Sequence, residues 1–85
     1  MGRRKISIFG STGSIGSNTV KLLLQQGGSN NYDIQVLTGG KNVKILADQA
    51  IKLKANMAVT AHDEKLDELR FYLKDSEINV SAGTK

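Results

Sequence analysis

The chain has no cysteine, proline or tryptophan, one histidine, and only two tyrosines and two phenylalanines in 85 residues. Without cysteine there is neither a disulfide framework nor a thiolate metal site, a usage that fits the cytoplasm. One histidine rules out a histidine-rich metal site within the chain. Tyr32, Phe71 and Tyr72 are too scattered to make a base-stacking platform. Long apolar runs are missing too. The run after the basic start, Ile6 to Phe9, is broken by Ser7 and falls short of the roughly 7–15 apolar residues of a signal peptide. No stretch approaches the ~18 apolar residues of a membrane span. Met1-Gly2 opens like a myristoylation signal, but Ile6 stands where Ser or Thr is needed. These absences predict a cytoplasmic protein with no membrane partner.

The formal net charge is +4. The Lys and Arg residues are spread along the chain, and only Arg3-Arg4-Lys5 is clustered, so the charge reads as a solvated surface and no nucleic-acid partner is expected. The length fits one small domain or part of a larger one, since domains typically run to roughly 100–150 residues. So short a chain buries only about 60–65% of the surface its unfolded form exposes, which predicts modest stability.

Apolar periodicity alternates between two and 3.6 residues. Lys5 to Phe9 reads as a buried strand ending at Gly10. Ser14 to Gln26 reads as a helix with Ile15, Thr19, Leu22 and Leu23 on one face and Val20 and Leu24 beside them, stopped by Gly27-Gly28. Tyr32 to Thr38 is a second strand, broken by Gly39-Gly40. Asn42 is a plausible N-cap for a helix whose inward face is Val43, Leu46, Ala47, Ala50 and Ile51. Ala55 to Ala61 gives a third strand, and His62 or Asp63 opens a third helix with Leu66, Leu69 and Leu73 inward. Ile78-Asn79-Val80 is a fourth short strand, ending at Ala82-Gly83. The order β-α-β-α-β-α-β predicts an α/β fold, a Rossmann-like parallel sheet with flanking helices and right-handed crossovers. A doubly wound dinucleotide fold has two such halves; one half and the start of the next are expected here.

The informative motif is Gly10-Ser11-Thr12-Gly13-Ser14-Ile15-Gly16, between a predicted strand and a predicted helix. That is the setting of a dinucleotide-binding turn. Gly10 lets the chain leave the strand sharply, Gly13 clears space for a pyrophosphate, and Gly16 allows close helix packing. The helix start then offers free N–H groups and a partial positive charge to the anion, with Thr12 and Ser14 as hydroxyl donors. The spacing G-x-x-G-x-x-G is a variant found among NADP-linked enzymes, and a Walker motif is excluded because no Gly-Lys-Ser/Thr closes the loop. The alternative is a tight turn that holds no ligand.

An NAD-binding site places Asp or Glu about 20 residues further on, to hold the ribose 2′-hydroxyl. Here that region is Leu37-Thr38-Gly39-Gly40-Lys41-Asn42, with no carboxylate. Gly39-Gly40 lets the backbone approach, Lys41 supplies a cation and Asn42 starts a helix. This predicts a 2′-phosphate site and NADPH over NADH, against the plain reading of Lys41 as a surface lysine. His62 is read as a cap or a solvent contact, because no second acid–base group accompanies it. Asp63, Glu64, Asp67 and Glu68 read as a solvated acidic face, not a metal site.

Taken together, Ile8 to Gly16, Leu37 to Val43, Ala47-Asp48-Gln49-Ala50 and Met57-Ala58-Val59 resemble the start of the 1-deoxy-D-xylulose 5-phosphate reductoisomerase family. The resemblance runs from Lys5 onward and is most specific in Gly-Ser-Thr-Gly-Ser-Ile-Gly and Gly-Lys-Asn. It implies an enzyme that rearranges 1-deoxy-D-xylulose 5-phosphate and reduces the aldehyde intermediate with NADPH to 2-C-methyl-D-erythritol 4-phosphate, in non-mevalonate isoprenoid biosynthesis. It also implies a divalent metal (Mg or Mn), a sugar-phosphate substrate and a homodimer. By motif match, Thr12, Gly13, Ser14 and Ile15, within a loop begun by Gly10 and Ser11, would line the pyrophosphate and adenosine side. Gly40, Lys41 and Asn42 would surround the 2′-phosphate, with Gly39 adjacent. Family members run to several hundred residues, and the metal carboxylates, the Lys-Glu-Ser segment and the substrate-phosphate site would lie beyond Lys85. Residues 1–85 are thus expected to be the N-terminal part of the NADPH-binding domain, inactive alone. The alternatives are a piece of another NADP-dependent oxidoreductase, such as a semialdehyde dehydrogenase, or a non-catalytic NADP-binding module.

Overall fold

A computed structural model describes residues 3–83; the Met1-Gly2 signal discussed above lies outside them. Four strands and three helices alternate: β1 (Arg4–Ile8), α1 (Ser14–Gln25), β2 (Tyr32–Gly39), α2 (Val43–Leu53), β3 (Met57–Thr60), α3 (Leu66–Leu73) and β4 (Asn79–Ala82). One-turn 3₁₀ segments, Gly28–Asn30 and Asp63–Lys65, precede β2 and α3. The strands form one parallel sheet in the order β1-β2-β3-β4.

The sequence leaves the place of β4 open. In the sheet it extends the order beyond β3 and does not return beside β1, where the second half of a doubly wound sheet begins. The cause is the third crossover. Leu69 and Leu73 of α3 are buried in the same core as Leu46, Ala50 and Leu53 of α2, so α3 lies alongside α2 and the chain steps outward again. With all crossovers going one way, the three helices line up on one sheet face, α2 between α1 and α3. On the other face Val36, Met57 and Val59 are half-buried, and Phe9 is 78% exposed.

Two apolar faces sit differently from the sequence reading. In α1 the buried residues are Gly16, Val20 and Leu23, while Ile15 and Leu22, expected inward, are 83% and 52% exposed. Gly16 sets that rotation, because the absence of its side chain lets the helix start press against its own loop. In α2, Val43, Leu46, Ala47 and Ala50 point inward as expected, but Leu53 takes the place assigned to Ile51 and Gln49 is buried among them. Leu66 is only half-buried at the start of α3. β2 carries an irregularity: Ile6 pairs with Ile34 but Ser7 pairs with Val36, which leaves Gln35 as the extra residue. The bulge resets the alternation, so Ile34 and Leu37, three apart, both face the core. α2 ends on Lys54, a left-handed residue at φ 53°, which breaks the helix and feeds Ala55 into the core.

The rotated face of α1 gives a direct test. Leu23→Ala should destabilise the fold by about 2–4 kcal/mol, whereas Leu22→Ser should stay within about 0.5 kcal/mol. Urea unfolding of both variants checks this; equal losses would restore the face read from the sequence.

Candidate functional site

The C-terminal ends of β1, β2 and β3 form one rim, and the loops that leave them are tied together. Gly10 turns the chain off β1 at φ +74°, a conformation natural only to glycine. From there the loop is held by the end of β2: the Gly10 N–H donates to Thr38 Oγ1 and the Ser11 N–H to the Thr38 carbonyl, each at 2.8 Å. Gly13 closes the turn by donating to the Gly10 carbonyl at 3.0 Å. At Gly16 space is decisive. A Cβ there would fall on the Gly10 carbonyl oxygen and come within 2.7 Å of Ser11 Cα.

Ser11 is fully buried, and its side chain faces inward. Its hydroxyl donates to Gln49 Oε1 at 2.7 Å, and Gln49 Nε2 donates back to the Ser11 carbonyl at 3.0 Å. The structure therefore places Ser11 as a brace between the glycine loop and α2, not as a group facing solvent. Sequence reasoning missed both Gln49 and Thr38. Gln49 occupies a core-facing position of a helix, and a polar residue on an apolar face was the available signal.

Thr12 packs against the second loop: a Cβ on Gly39 would lie 3.2 Å from Thr12 Cγ2 and 3.3 Å from Leu46 Cδ2. Gly39 is buried and serves this close approach. Gly13, Ser14 and Ile15 lie exposed around the start of α1. That helix has no side-chain cap and no acidic residue in its first turn, so its leading N–H groups, which lack intrahelical partners, point at the rim. The neighbouring helix differs. Asn42 Oδ1 accepts from the Ile45 N–H at 3.3 Å and caps α2, as its position in the sequence predicts. Gly40 is half-buried and Lys41 exposed; Lys41 makes no ion pair among the described residues.

The end of β3 completes the rim. Thr60 Oγ1 donates to the Gly40 carbonyl at 2.8 Å and accepts from the His62 N–H at 3.2 Å, and the Ala61 N–H donates to the Gly39 carbonyl at 2.9 Å. A hollow of about 450 Å³ opens below this rim on the helix-free face, lined by Phe9, Thr38, Gly39, Met57, Val59 and Gly83 among others. A separate hollow of about 330 Å³ beside Lys54, Asn56 and Glu77 has no link to the glycine loop. Among the described residues no group of three or more His, Cys, Asp or Glu could hold a metal ion; the residues present do not fit a divalent-metal site. Asp67 and Glu68 pair with Arg70 and Lys65 on an exposed face. Among the described residues no helix is long and apolar enough to cross a membrane.

A four-stranded parallel sheet with flanking helices, and a glycine turn leading from a strand end into an uncapped helix start, define the class: a Rossmann-like α/β fold. The family model for 1-deoxy-D-xylulose 5-phosphate reductoisomerase matches residues 6–85, and the chain belongs to that family. It is 50% identical over 80 residues to the 1-deoxy-D-xylulose 5-phosphate reductoisomerase of Rhizobium etli, covering 94% of this chain and 20% of the relative. The Sinorhizobium fredii protein of the same name is 46% identical over 81 residues, covering 95% of this chain and 21% of the relative. Among solved structures, the Zymomonas mobilis enzyme in complex with NADPH superposes with a TM-score of 0.91 at 34% identity, over 98% of this chain and 22% of that one. The chain thus spans about a fifth of the length of the relatives it matches.

The Ser11–Gln49 brace carries its own prediction. Gln49→Ala leaves a buried hydroxyl and carbonyl without partners and should cost about 1–3 kcal/mol. Thermal unfolding measures it, and an unchanged midpoint would mean that the two loops are held by Thr38 alone.

Proposed function

We propose that this chain is the N-terminal part of the NADPH-binding domain of a 1-deoxy-D-xylulose 5-phosphate reductoisomerase. In this reading Gly10, Thr12, Gly13, Ser14 and Ile15 hold the pyrophosphate and adenosine side of the cofactor, with Ser11 positioning them. Gly40, Lys41 and Asn42 take the 2′-phosphate, and Gly39 lets that loop sit against Thr12. The observation that carries it is the start of α1, uncapped and free of acidic side chains beside a glycine turn, next to a second loop with a lysine and no carboxylate. An anion at the first and a phosphate at the second match the two charged parts of NADPH. Solved relatives support the reading: one is described in complex with NADPH, and another with NADPH, fosmidomycin and magnesium.

The whole protein would then convert 1-deoxy-D-xylulose 5-phosphate to 2-C-methyl-D-erythritol 4-phosphate, as a cytoplasmic homodimer in isoprenoid biosynthesis. NADPH would supply the hydride. The catalytic residues, the substrate-phosphate site and the Mg or Mn ligands belong to domains outside these residues.

Titration with NADPH and NADH, followed by amide chemical shifts, tests the cofactor site. Shifts are expected at residues 12–16 and 40–42, larger with NADPH, and Lys41→Glu should cut the preference for NADPH by about tenfold, since hydrogen bonds to charged groups contribute ~1.5–3 kcal/mol. A Lys41→Glu variant that keeps its preference would sink the assigned role of Lys41.

A further inference from the structure

The loop assigned to the 2′-phosphate has a second titratable neighbour. Apart from its chain neighbours, a Cβ built on Gly40 would meet one atom within 4 Å among the described residues: His62 Nε2, at 4.0 Å. The space over Gly40 is therefore open and bordered by an imidazole edge. The placement is braced by backbone, because Thr60 Oγ1 both donates to the Gly40 carbonyl and accepts from the His62 N–H. The other ring nitrogen faces a carboxylate. Nδ1 lies 3.6 Å from Glu64 Oε2, and the side chain of His62 is 35% exposed. A carboxylate facing Nδ1 orients the ring, with Nε2 toward the Gly40 loop. The charged groups around the ring are Asp63, Glu64 and Lys65 on its own turn and Lys41 on the facing loop. Lys65 is drawn toward Glu68, at 3.6 Å, which leaves Lys41 on the loop and the His62 imidazole at the edge of the opening.

We propose that His62 is a specificity-determining contact for the 2′-phosphate, its protonated imidazole donating from Nε2 to a phosphate oxygen held over Gly40, across from Lys41. This rests on the NADPH reading above. Imidazolium forms where the phosphate is present, so binding of NADPH takes up a proton at His62 and binding of NADH does not. The contact is strongest on the acid side of neutrality and fades as the ring loses its proton.

His62 is the only histidine in the chain, so its ring Cε1–H resonance is a single, unambiguous probe. The midpoint of its titration should move to higher pH in saturating NADPH and stay in place with NADH. His62→Ala should weaken NADPH binding at pH 6 by about fivefold, a partly exposed charge-assisted contact, and leave NADH binding within about twofold. His62→Gln keeps an uncharged donor of similar reach and should flatten the pH dependence of the NADPH-to-NADH ratio relative to the wild type. That comparison removes the phosphate's own titration from the result. If NADPH shifts residues 12–16 and 40–42 while the His62 midpoint and the His62→Ala preference stay unchanged, the role of His62 is overturned and the cofactor site stands. If NADPH moves none of those amides, the cofactor site itself is overturned, and the role of His62 with it.

Discussion

The site depends on one constraint: two loops leaving neighbouring parallel strands must be held in a fixed relation. Backbone geometry alone does not achieve this, because a loop at the end of a strand has no ladder partner. Here Thr38, within β2, holds Gly10 through its hydroxyl and Ser11 through its carbonyl. The Ser11–Gln49 pair then anchors the glycine loop to the helix that begins with the second loop. Both groups of this pair are buried, so their hydrogen bonds compete with no water and breaking one strands its partner. Gly39 and Gly16 permit the approach; the polar pair fixes it.

Much of this fold was readable from periodicity. The seven alternating elements, the parallel sheet and the Asn42 cap follow from apolar spacing and from a short list of residues that suit turns and helix starts. The glycine loop was readable as a turn because three glycines cannot all be accidental between a strand and a helix. What periodicity misjudged has physical causes. The face of α1 is set by Gly16, a residue that adds nothing to an apolar pattern yet makes the closest contact, so Ile15 and Leu22 were counted inward when they face out. In β2 a single extra residue, Gln35, shifts the alternation, and no local composition announces a bulge. The place of β4 was left open rather than misread, because it depends on which helix α3 packs against, a tertiary choice that local pattern does not encode.

The candidate site was partly legible in the same sense. Motif spacing locates the loops, but not which of their residues face out. Ser11 and Ser14 look alike in the sequence, both hydroxyls within one glycine turn. One is fully buried against Gln49 and the other exposed at the helix start. Of the neighbours contributed from elsewhere, Gln49 shows in the sequence only as a polar residue on an apolar face of α2, and the place of His62, just after β3, becomes visible only when the chain is folded. Neither stands in a pattern that calls for a ligand.

In the proposed reading the rim also accounts for which helix start meets the diphosphate. In a parallel sheet with all crossovers of one hand, every helix begins at the same edge, so three positive helix ends stand side by side. The sequence treats them differently. Asn42 fills the end of α2 by accepting from the Ile45 N–H. Asp63 and Glu64 stand in the turn that leads into α3, and Asp67 and Glu68 follow in its own first turn, so that end already carries negative charge. Only α1 begins without a side-chain cap and without a carboxylate in its first turn. In the proposed reading a diphosphate meeting this edge finds the uncapped α1 dipole beside the glycine loop, α3 carries negative charge, and the capped start of α2 meets the 2′-phosphate through Gly40, Lys41 and Asn42.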